Sequence, residues 1–181
     1  MRYCSQCGAP VVLRIPEGDN LPRHVCETCS TIHYDNPRIV AGCIVTHDER
    51  ILLCRRAIEP RKGFWTLPAG FMEHGETIAQ AAAREAMEEA CADVELDALY
   101  AIVDVIHAGQ VHMMYRGRLK GGRHEAGPES IETALVSLAD IPWDELAFPS
   151  VRFTLERFRD DLAAGSFGLH SHVFDRRSGL K

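Results

Sequence analysis

The segment from Gly70 to Ala92 reads GFMEHGETIAQAAAREAMEEACA, and it determines how the rest of the sequence is interpreted. Thr77 followed three residues later by Gln80 matches a capping box, in which each residue satisfies a free backbone donor at a helix start. The alanine-rich run that follows to Ala90 has high helix propensity. The sequence therefore predicts a helix that begins after Thr77 and ends near Ala90.

Three glutamates share one side of this predicted helix. Glu85, Glu88 and Glu89 are spaced at i, i+3 and i+4, which places their carboxylates on an arc about 100° wide. The opposite arc is expected to be small and apolar and to pack on a sheet; it holds Ala79, Ala83, Ala86, Met87 and Ala90. Either the glutamates form a solvated acidic face, or they bind a hard cation such as Mg²⁺ or Mn²⁺. Arg84 alone does not balance three clustered carboxylates, which favours the cation.

Four cysteines near the N-terminus form a second pattern. Cys4 and Cys7 make one CxxC pair, Cys26 and Cys29 make another, and 18 residues separate the pairs. This spacing predicts a closed four-thiolate site, for which Zn²⁺ is favoured and rubredoxin-type iron is the alternative. The role of such a metal is structural, because no coordination position stays open.

The remaining elements are read from runs of β-favouring residues between turns. A hairpin is expected around His47-Asp48-Glu49, followed by a glycine-punctuated loop from Gly63 to Gly75. The predicted strands are 39–45, 51–56, 94–106, 112–120 and 134–138, with a second helix over 150–164. Cys43 and Cys54 fall in predicted strands and are expected to be buried and inert. This mixed order indicates an α/β or α+β fold.

Composition limits the function further. The 181 residues carry a formal net charge of −6, which argues against a nucleic-acid-binding surface. Residues 1–38 hold four arginines, no lysine and four acidic residues, so the cysteine-rich part is neutral as well. No apolar run reaches the roughly 18 residues that a membrane span needs, and the N-terminus does not resemble a signal peptide, so a cytoplasmic protein without membrane contact is expected.

The carboxylate segment resembles the box of the Nudix hydrolases, G-x5-E-x7-R-E-U-x-E-E-x-G-U, where U is a bulky apolar residue. Gly70 and Glu76 occupy the first two positions, and the run from Arg84 to Glu89 fills every charged position after them. The departures are Ala86 at the first bulky position, Cys91 at the last glycine and Ala92 after it. A glycine suits a left-handed helix end, so Cys91 is expected to cost about 1 kcal/mol or to shift that end.

The resemblance extends from Cys4 to about Gly168. It includes the four-cysteine ribbon, Asn36-Pro37, the run 53–56, the segment 65–70 that leads into the box, and Gly127-Pro128-Glu129-Ser130. These segments are similar to a Nudix subgroup whose members hydrolyse FAD and ADP-ribose. The resemblance implies a mixed β-sheet sandwiched between helices, with a zinc ribbon over residues 1–36 and a hydrolase domain over 37–181. A homodimer is expected, because related Nudix enzymes commonly pair.

The resemblance also implies roles for individual residues. Glu85 and Glu89 would bind Mg²⁺ or Mn²⁺ directly, with Glu88 as a third or water-mediated ligand and the Gly70 carbonyl as a further one. Arg84 would hold the carboxylates and pair with Glu76.

The general base and the substrate contacts depend on less specific signals. Glu129 is the candidate base, with Glu125 and Glu132 as alternatives in the same region. Arg55, Arg56 and Arg61 are candidate phosphate contacts. Phe64 or Trp65 would stack on a base, although a core role for Trp65 is an equal alternative.

The sequence thus indicates a metal-dependent hydrolase that cleaves the pyrophosphate bond of a nucleoside-diphosphate-linked compound. FAD and ADP-ribose are the expected substrates, and NADH and dinucleoside polyphosphates share the scissile bond. One alternative is a non-catalytic Nudix-fold sensor of nucleotides, which retention of every box glutamate disfavours. The other is a pyrophosphohydrolase acting on RNA ends, which the neutral ribbon and the acidic total disfavour.

Overall fold

The computed structural model describes residues 1–175 and divides the chain into two compact units, the first spanning Met1–Pro37 and the second starting at Arg38. The first unit holds a small antiparallel sheet of β1 (Val11–Arg14), β2 (Arg23–Cys26) and β3 (Ile32–His33). These strands were not predicted from the sequence, because each is only two to four residues long. Among the described residues, no helix is long and apolar enough to cross a membrane.

The second unit is built on one mixed eight-stranded sheet. Its strands are β4 (Arg38–His47), β5 (Arg50–Arg56), β6 (Trp65–Thr66), β7 (Ala69–Phe71), β8 (Val94–Val105), β9 (Gln110–Leu119), β10 (Ser130–Ser137) and β11 (His170–Phe174). The strand order is β10-β5-β4-β9-β8-β11, with β6 paired to β5 and β7 paired to β4. The pairs β4–β9 and β8–β11 are parallel, and the other pairs are antiparallel.

Two helices cover the two faces of this sheet. Helix α1 (Ile78–Ala90) packs on one face and α2 (Pro149–Ala164) on the other. The α1 face is filled by small residues, including Ala82 and Ala86 against Cys43, whereas the α2 face is filled by larger ones such as Tyr100, Leu155 and Phe158. The predicted Nudix arrangement, a mixed sheet between helices, is confirmed.

The structure confirms the predictions of the helix cap, the hairpin turn and the two buried cysteines. Thr77 caps α1, with the Gln80 N–H donating to its hydroxyl and the Gln80 side chain accepting from the Thr77 N–H, as the capping box predicts. The β4–β5 hairpin turns through Asp48 and Glu49, both with positive φ, as a two-residue turn that follows strand twist requires. Cys43 and Cys54 are buried, and burial raises the pKa of the Cys43 thiol to about 12.

Other boundaries differ from the prediction. Strand β10 begins at Ser130 rather than Ala134, because Ser130 and Glu132 already pair with Arg56 and Arg55 of β5. Strand β11 was not predicted, and the loop from Gly63 to Gly75 contains β6 and β7. These short segments form strands because long neighbouring strands supply their hydrogen-bond partners.

The predicted apolar arc of α1 is partly wrong. Met87 is 47% exposed, and Ala79 and Ala83 are only partly buried. The buried positions are Ala81, Ala82, Glu85, Ala86, Glu89 and Ala90. The face toward the sheet therefore includes two of the three glutamates, which an amphipathic pattern assigns to solvent.

Cys91 ends α1 in the left-handed conformation, with φ 47° and ψ 33°. The left-handed region costs a residue with a Cβ about 1 kcal/mol, so Cys91→Gly should stabilise the protein by about that amount. Urea unfolding curves should show a higher midpoint for Cys91→Gly, and Cys91→Ala, which keeps the Cβ, is the matched control. Equal midpoints for the two variants would contradict the assignment of strain to this cap.

Candidate active site and zinc ribbon

Glu85 and Glu89 are the centre of the candidate active site. They are 8% and 5% exposed and lie on the sheet side of α1. Burial raises the pKa of both carboxyls, that of Glu89 to about 7, although a hydrogen bond from the Ala69 N–H (3.1 Å) opposes the shift of Glu89. The solvated acidic face is therefore ruled out for these two side chains, and Glu88, at 58% side-chain exposure, is the outward member of the three.

Arg84 binds the carboxylates of this helix together. Its Nη1 donates to Glu85 Oε1 at 2.8 Å and to Glu88 Oε2 at 2.9 Å. Nε and Nη2 donate to the two carboxylate oxygens of Glu76 at 3.1 and 2.8 Å, and Nη2 also donates to the Phe71 carbonyl. The expected pairing of Arg84 with Glu76 is present, and the planar guanidinium connects the helix to the loop before it.

Gly70 lies directly against Glu85. A Cβ at Gly70 would collide with the Glu85 carboxylate, so a larger residue there would displace that carboxylate from its position beside β7. β7 also pairs with β4, where Ala41 lies opposite Gly70, which fixes the position of the backbone. The Gly70 backbone and the two buried carboxylates consequently share one small space at the edge of the helix.

The loop before β10 packs on the end of α1. The Gly127 N–H donates to the Glu89 carbonyl at 3.0 Å and the Glu125 N–H to the Ala90 carbonyl at 2.8 Å, and a Cβ at Gly127 would overlap the Glu88 carbonyl. Glu129 follows this contact, and its negative charge contributes to raising the pKa of Glu85 and Glu89, after burial. The structure thus brings Glu129 near the box carboxylates.

Arg56 is a predicted phosphate contact whose charge acts on the buried carboxylates. Its charge lowers the pKa of Glu89 against the effect of burial, its Nε donates to the Pro60 carbonyl at 2.8 Å, and its guanidinium lies 5.1 Å from the centre of the Phe148 ring. Phe148 was not identified from the sequence, because it precedes α2, some ninety positions along the chain from Arg56. No local pattern connects residues so far apart.

The other predicted substrate contacts are held by neighbours of their own. Arg55 donates to the Gly63 carbonyl and pairs with Glu132 at 2.9 Å, which leaves Glu132 engaged on β10. The guanidinium of Arg61 stacks on Phe64 at 4.9 Å. Trp65 packs against the α2-side core, and its carbonyl accepts from the Ala147 N–H.

These residues fit a hard divalent cation. The two buried carboxylates, Glu88 beside them and the Gly70 carbonyl offer oxygen donors only, which is the chemistry that a hard cation takes. Within residues 1–175, the only His, Cys or acidic side chains that already converge as a metal-binding group are the four cysteines. Burying like charges together without a cation is unfavourable, and Arg84 is only partial compensation. The donor chemistry suits Mg²⁺ or Mn²⁺ rather than a thiophilic metal.

In the first unit, the ligand atoms of Cys4, Cys7, Cys26 and Cys29 all lie within 4.8 Å of one another. The Gln6 N–H points to the Cys4 sulfur at 3.4 Å, and the Thr31 hydroxyl lies 3.1 Å from the Cys29 sulfur. Four convergent sulfurs form a closed donor set, which suits the tetrahedral coordination that Zn²⁺ prefers. The predicted ribbon is therefore present in the fold.

Comparison with known families agrees with this geometry. The NUDIX domain model matches residues 36–156, and a Nudix N-terminal zinc-ribbon model matches residues 2–35. The chain belongs to the Nudix family. A NUDIX hydrolase from Nitrosomonas europaea of known crystal structure is 46% identical, with a TM-score of 0.94 over 97% of this chain and 100% of that one.

Two named Nudix relatives illustrate the range of substrates. NAD-capped RNA hydrolase NudC of Vibrio atlanticus is 41% identical over 96 residues, which cover 52% of this chain and 33% of the relative. ADP-ribose pyrophosphatase of Methanocaldococcus jannaschii is 33% identical over 119 residues, which cover 64% of this chain and 69% of the relative. The match thus spans only about a third of the NudC protein.

The ribbon leads to a prediction of metal content. Purified protein should carry about one zinc per chain, and Cys4→Ser should lose that zinc and unfold at lower temperature, because formation of such a site is coupled to folding. Cys91→Ser, an exposed cysteine outside the quartet, should retain the zinc. Elemental analysis that finds neither zinc nor iron after gentle purification would remove the ribbon assignment.

Proposed function

We propose that this Nudix protein hydrolyses the pyrophosphate bond of a nucleoside-diphosphate-linked compound, with FAD and ADP-ribose as the main substrates and NADH as a further one. The observation that carries the proposal is the buried pair Glu85 and Glu89 beside Gly70, held by Arg84. A structural helix gains nothing from two buried carboxylates that raise each other's energy. In a site that holds a cation, by contrast, two buried carboxylates serve as anionic ligands, and the bound cation can in turn hold a polyphosphate.

The chain's residues divide the work in this proposal. Glu85, Glu89 and the Gly70 carbonyl hold Mg²⁺ or Mn²⁺, with Glu88 at the outer side. A bound divalent cation neutralises phosphate oxygens and lowers the pKa of bound water. Arg84 fixes the carboxylates, so that they need little reorganisation as charge develops on the phosphate.

The substrate side of the site is assigned to the adjacent strands and loops. Arg56, already close to Glu89, binds and orients a phosphate oxygen, and Arg55 and Arg61 extend the cationic path. Trp65 supports the wall on which the base lies. Glu129 accepts the proton of the attacking water, a role supported by its position after the Gly127 contact with α1 and by its electrostatic influence on both buried carboxylates.

The domain division belongs to the same proposal. Residues 1–36 form the zinc ribbon and residues 37–181 the hydrolase domain. The compact units and the boundary between the two matching family models support a division near this point.

Replacing Glu89 with Gln tests the cation site. The variant keeps the shape of the side chain but removes one anionic ligand, so kcat on ADP-ribose should fall about 10³-fold or more, equivalent to roughly 4 kcal/mol. Glu73→Gln, which removes the same charge from an exposed position before the helix, should retain the parental rate. Removal of a buried charge should also raise the melting temperature of the metal-free protein. A parental rate for Glu89→Gln at saturating Mg²⁺ would contradict the assignment.

A second candidate function is hydrolysis of NAD-capped RNA, favoured by the NudC relatives. A panel of FAD, ADP-ribose, NADH, free NAD and NAD-capped RNA, each assayed with Mg²⁺ and with Mn²⁺, distinguishes the two. We expect the largest kcat/KM on ADP-ribose or FAD. We expect the kcat/KM for NAD-capped RNA to be no higher than that for free NAD, since residues 1–38 carry no net charge that would bind the RNA. A strong, salt-sensitive preference for capped RNA would establish the second candidate instead.

We further propose a homodimer, supported by the pairing common among related Nudix enzymes. Light scattering should give about twice the chain mass of 20.2 kDa. A mass near that of one chain would contradict it.

A further inference from the structure

A groove of about 750 Å³ opens on the α2 face of the sheet. Its floor is apolar and consists of Ile51, Leu138, Phe158, Leu162 and Phe167. The groove is also lined by three arginines, Arg116, Arg118 and Arg159, and by two acidic residues, Glu49 and Asp97. Its size falls within the range of small-molecule sites, and the cations outnumber the anions in a protein whose net charge is −6.

The groove is separate from the carboxylate site. Along β4, Ala41 lies opposite Gly70 of that site, whereas Val45 lies opposite Gly117 of the groove, about 13 Å further along the strand. Helix α1 covers the other face of the sheet, while the groove is lined by side chains of α2. Nothing in the hydrolysis proposed above uses it.

Arg116 is the distinctive group of the groove. Its guanidinium lies 4.0 Å from the centre of the Phe167 ring and 5.8 Å from that of Tyr100, so the rings hold it in place. Two acidic residues of the elements around it have other partners: Asp97 pairs with Arg118, and Asp161 accepts hydrogen bonds from Tyr100 and His170. Among the ion pairs formed within residues 1–175, none includes Arg116, which leaves a ring-stacked cation facing an apolar cavity.

We propose that this groove binds a nucleoside phosphate at a second site. The apolar floor and the Phe167 ring accept the planar base, and Arg116 binds the phosphate through its planar fork of donors. A phosphate monoester carries nearly two negative charges. A rim of three guanidinium groups therefore suits a phosphate ligand better than a ligand with a single carboxylate. Arg118 and Arg159 contribute less, since Asp97 and Asp160 already engage them.

The test uses the full chain with its zinc and without added divalent cation, titrated with AMP and followed by backbone amide NMR. The amides of Gly117 and Ala163 report on the groove, and those of Gly70 and Gly127 report on the carboxylate site. We expect AMP to shift the groove amides saturably, and adenosine and inorganic phosphate each to bind about tenfold more weakly or worse. Either half of the ligand alone lacks one of the two contacts.

Variants assign the binding to Arg116. Arg116→Gln should weaken AMP binding at the groove about tenfold and leave the Gly70 and Gly127 shifts unchanged. Arg118→Gln, on the same strand and the same face, removes an equal charge that Asp97 already engages, and it should change the affinity by less than about threefold. Should Arg116→Gln fail to fold, Arg116→Lys takes its place, since it keeps the charge without the planar fork and should also bind AMP more weakly.

Four results of the ligand and variant titrations would overturn the proposal. They are AMP shifts confined to Gly70 and Gly127, equal affinities for AMP and adenosine, equal effects of Arg116→Gln and Arg118→Gln, and an unchanged AMP affinity of Arg116→Lys where that variant is used. Groove shifts that depend on protein concentration alone would also overturn it, since they would assign the groove to a second copy of the chain.

Discussion

Two carboxylates buried between a helix and a sheet are the constraint on which the rest of this structure depends. Glu85 and Glu89 lie on the buried face of α1, where burial raises the pKa of both. An arrangement of this kind destabilises the chain unless its charge is compensated. Arg84 provides the permanent compensation, since it donates to Glu85, Glu88 and the anchoring Glu76 at the same time.

The close packing around α1 follows from this requirement. Alanines bring the helix near the sheet, and Gly70 and Gly127 let backbone approach the glutamates from two directions where any Cβ would collide. The opposite face, under α2, has no such requirement and is filled with large aliphatic and aromatic side chains. The sheet therefore separates a face packed with small side chains, which carries the carboxylate site, from a face packed with large ones.

The sequence predicted the features that short-range chemistry determines. The capping box at Thr77, the hairpin at Asp48-Glu49 and the cysteine quartet each depend on residues close in sequence, and the structure contains all three. The buried face of α1 was mispredicted because amphipathic reasoning treats every glutamate as solvated, whereas this helix buries two of them.

Features formed by distant residues could not be read from the sequence. The ring of Phe148 under Arg56 and the loop of Gly127 on the end of α1 depend on how the strands are ordered. Strand β11 has the same origin, since its five residues form a strand only beside the long β8. A motif identifies the chemistry of a site, while the sheet order decides which remote residues complete it.

Charge distribution bears on the choice between a small nucleotide and an RNA end. In an acidic chain, a polyphosphate binds only where cations are concentrated, and Arg56 is the predicted phosphate contact whose charge acts on Glu89. Arg55 is already paired with Glu132, and Arg61 is stacked on Phe64. A pyrophosphate is a short anion that a few cations can neutralise, whereas a following RNA backbone adds a phosphate charge at every nucleotide and needs a continuing row of cations. Within the proposed function, the electrostatics of this chain favour a substrate that ends close to the pyrophosphate.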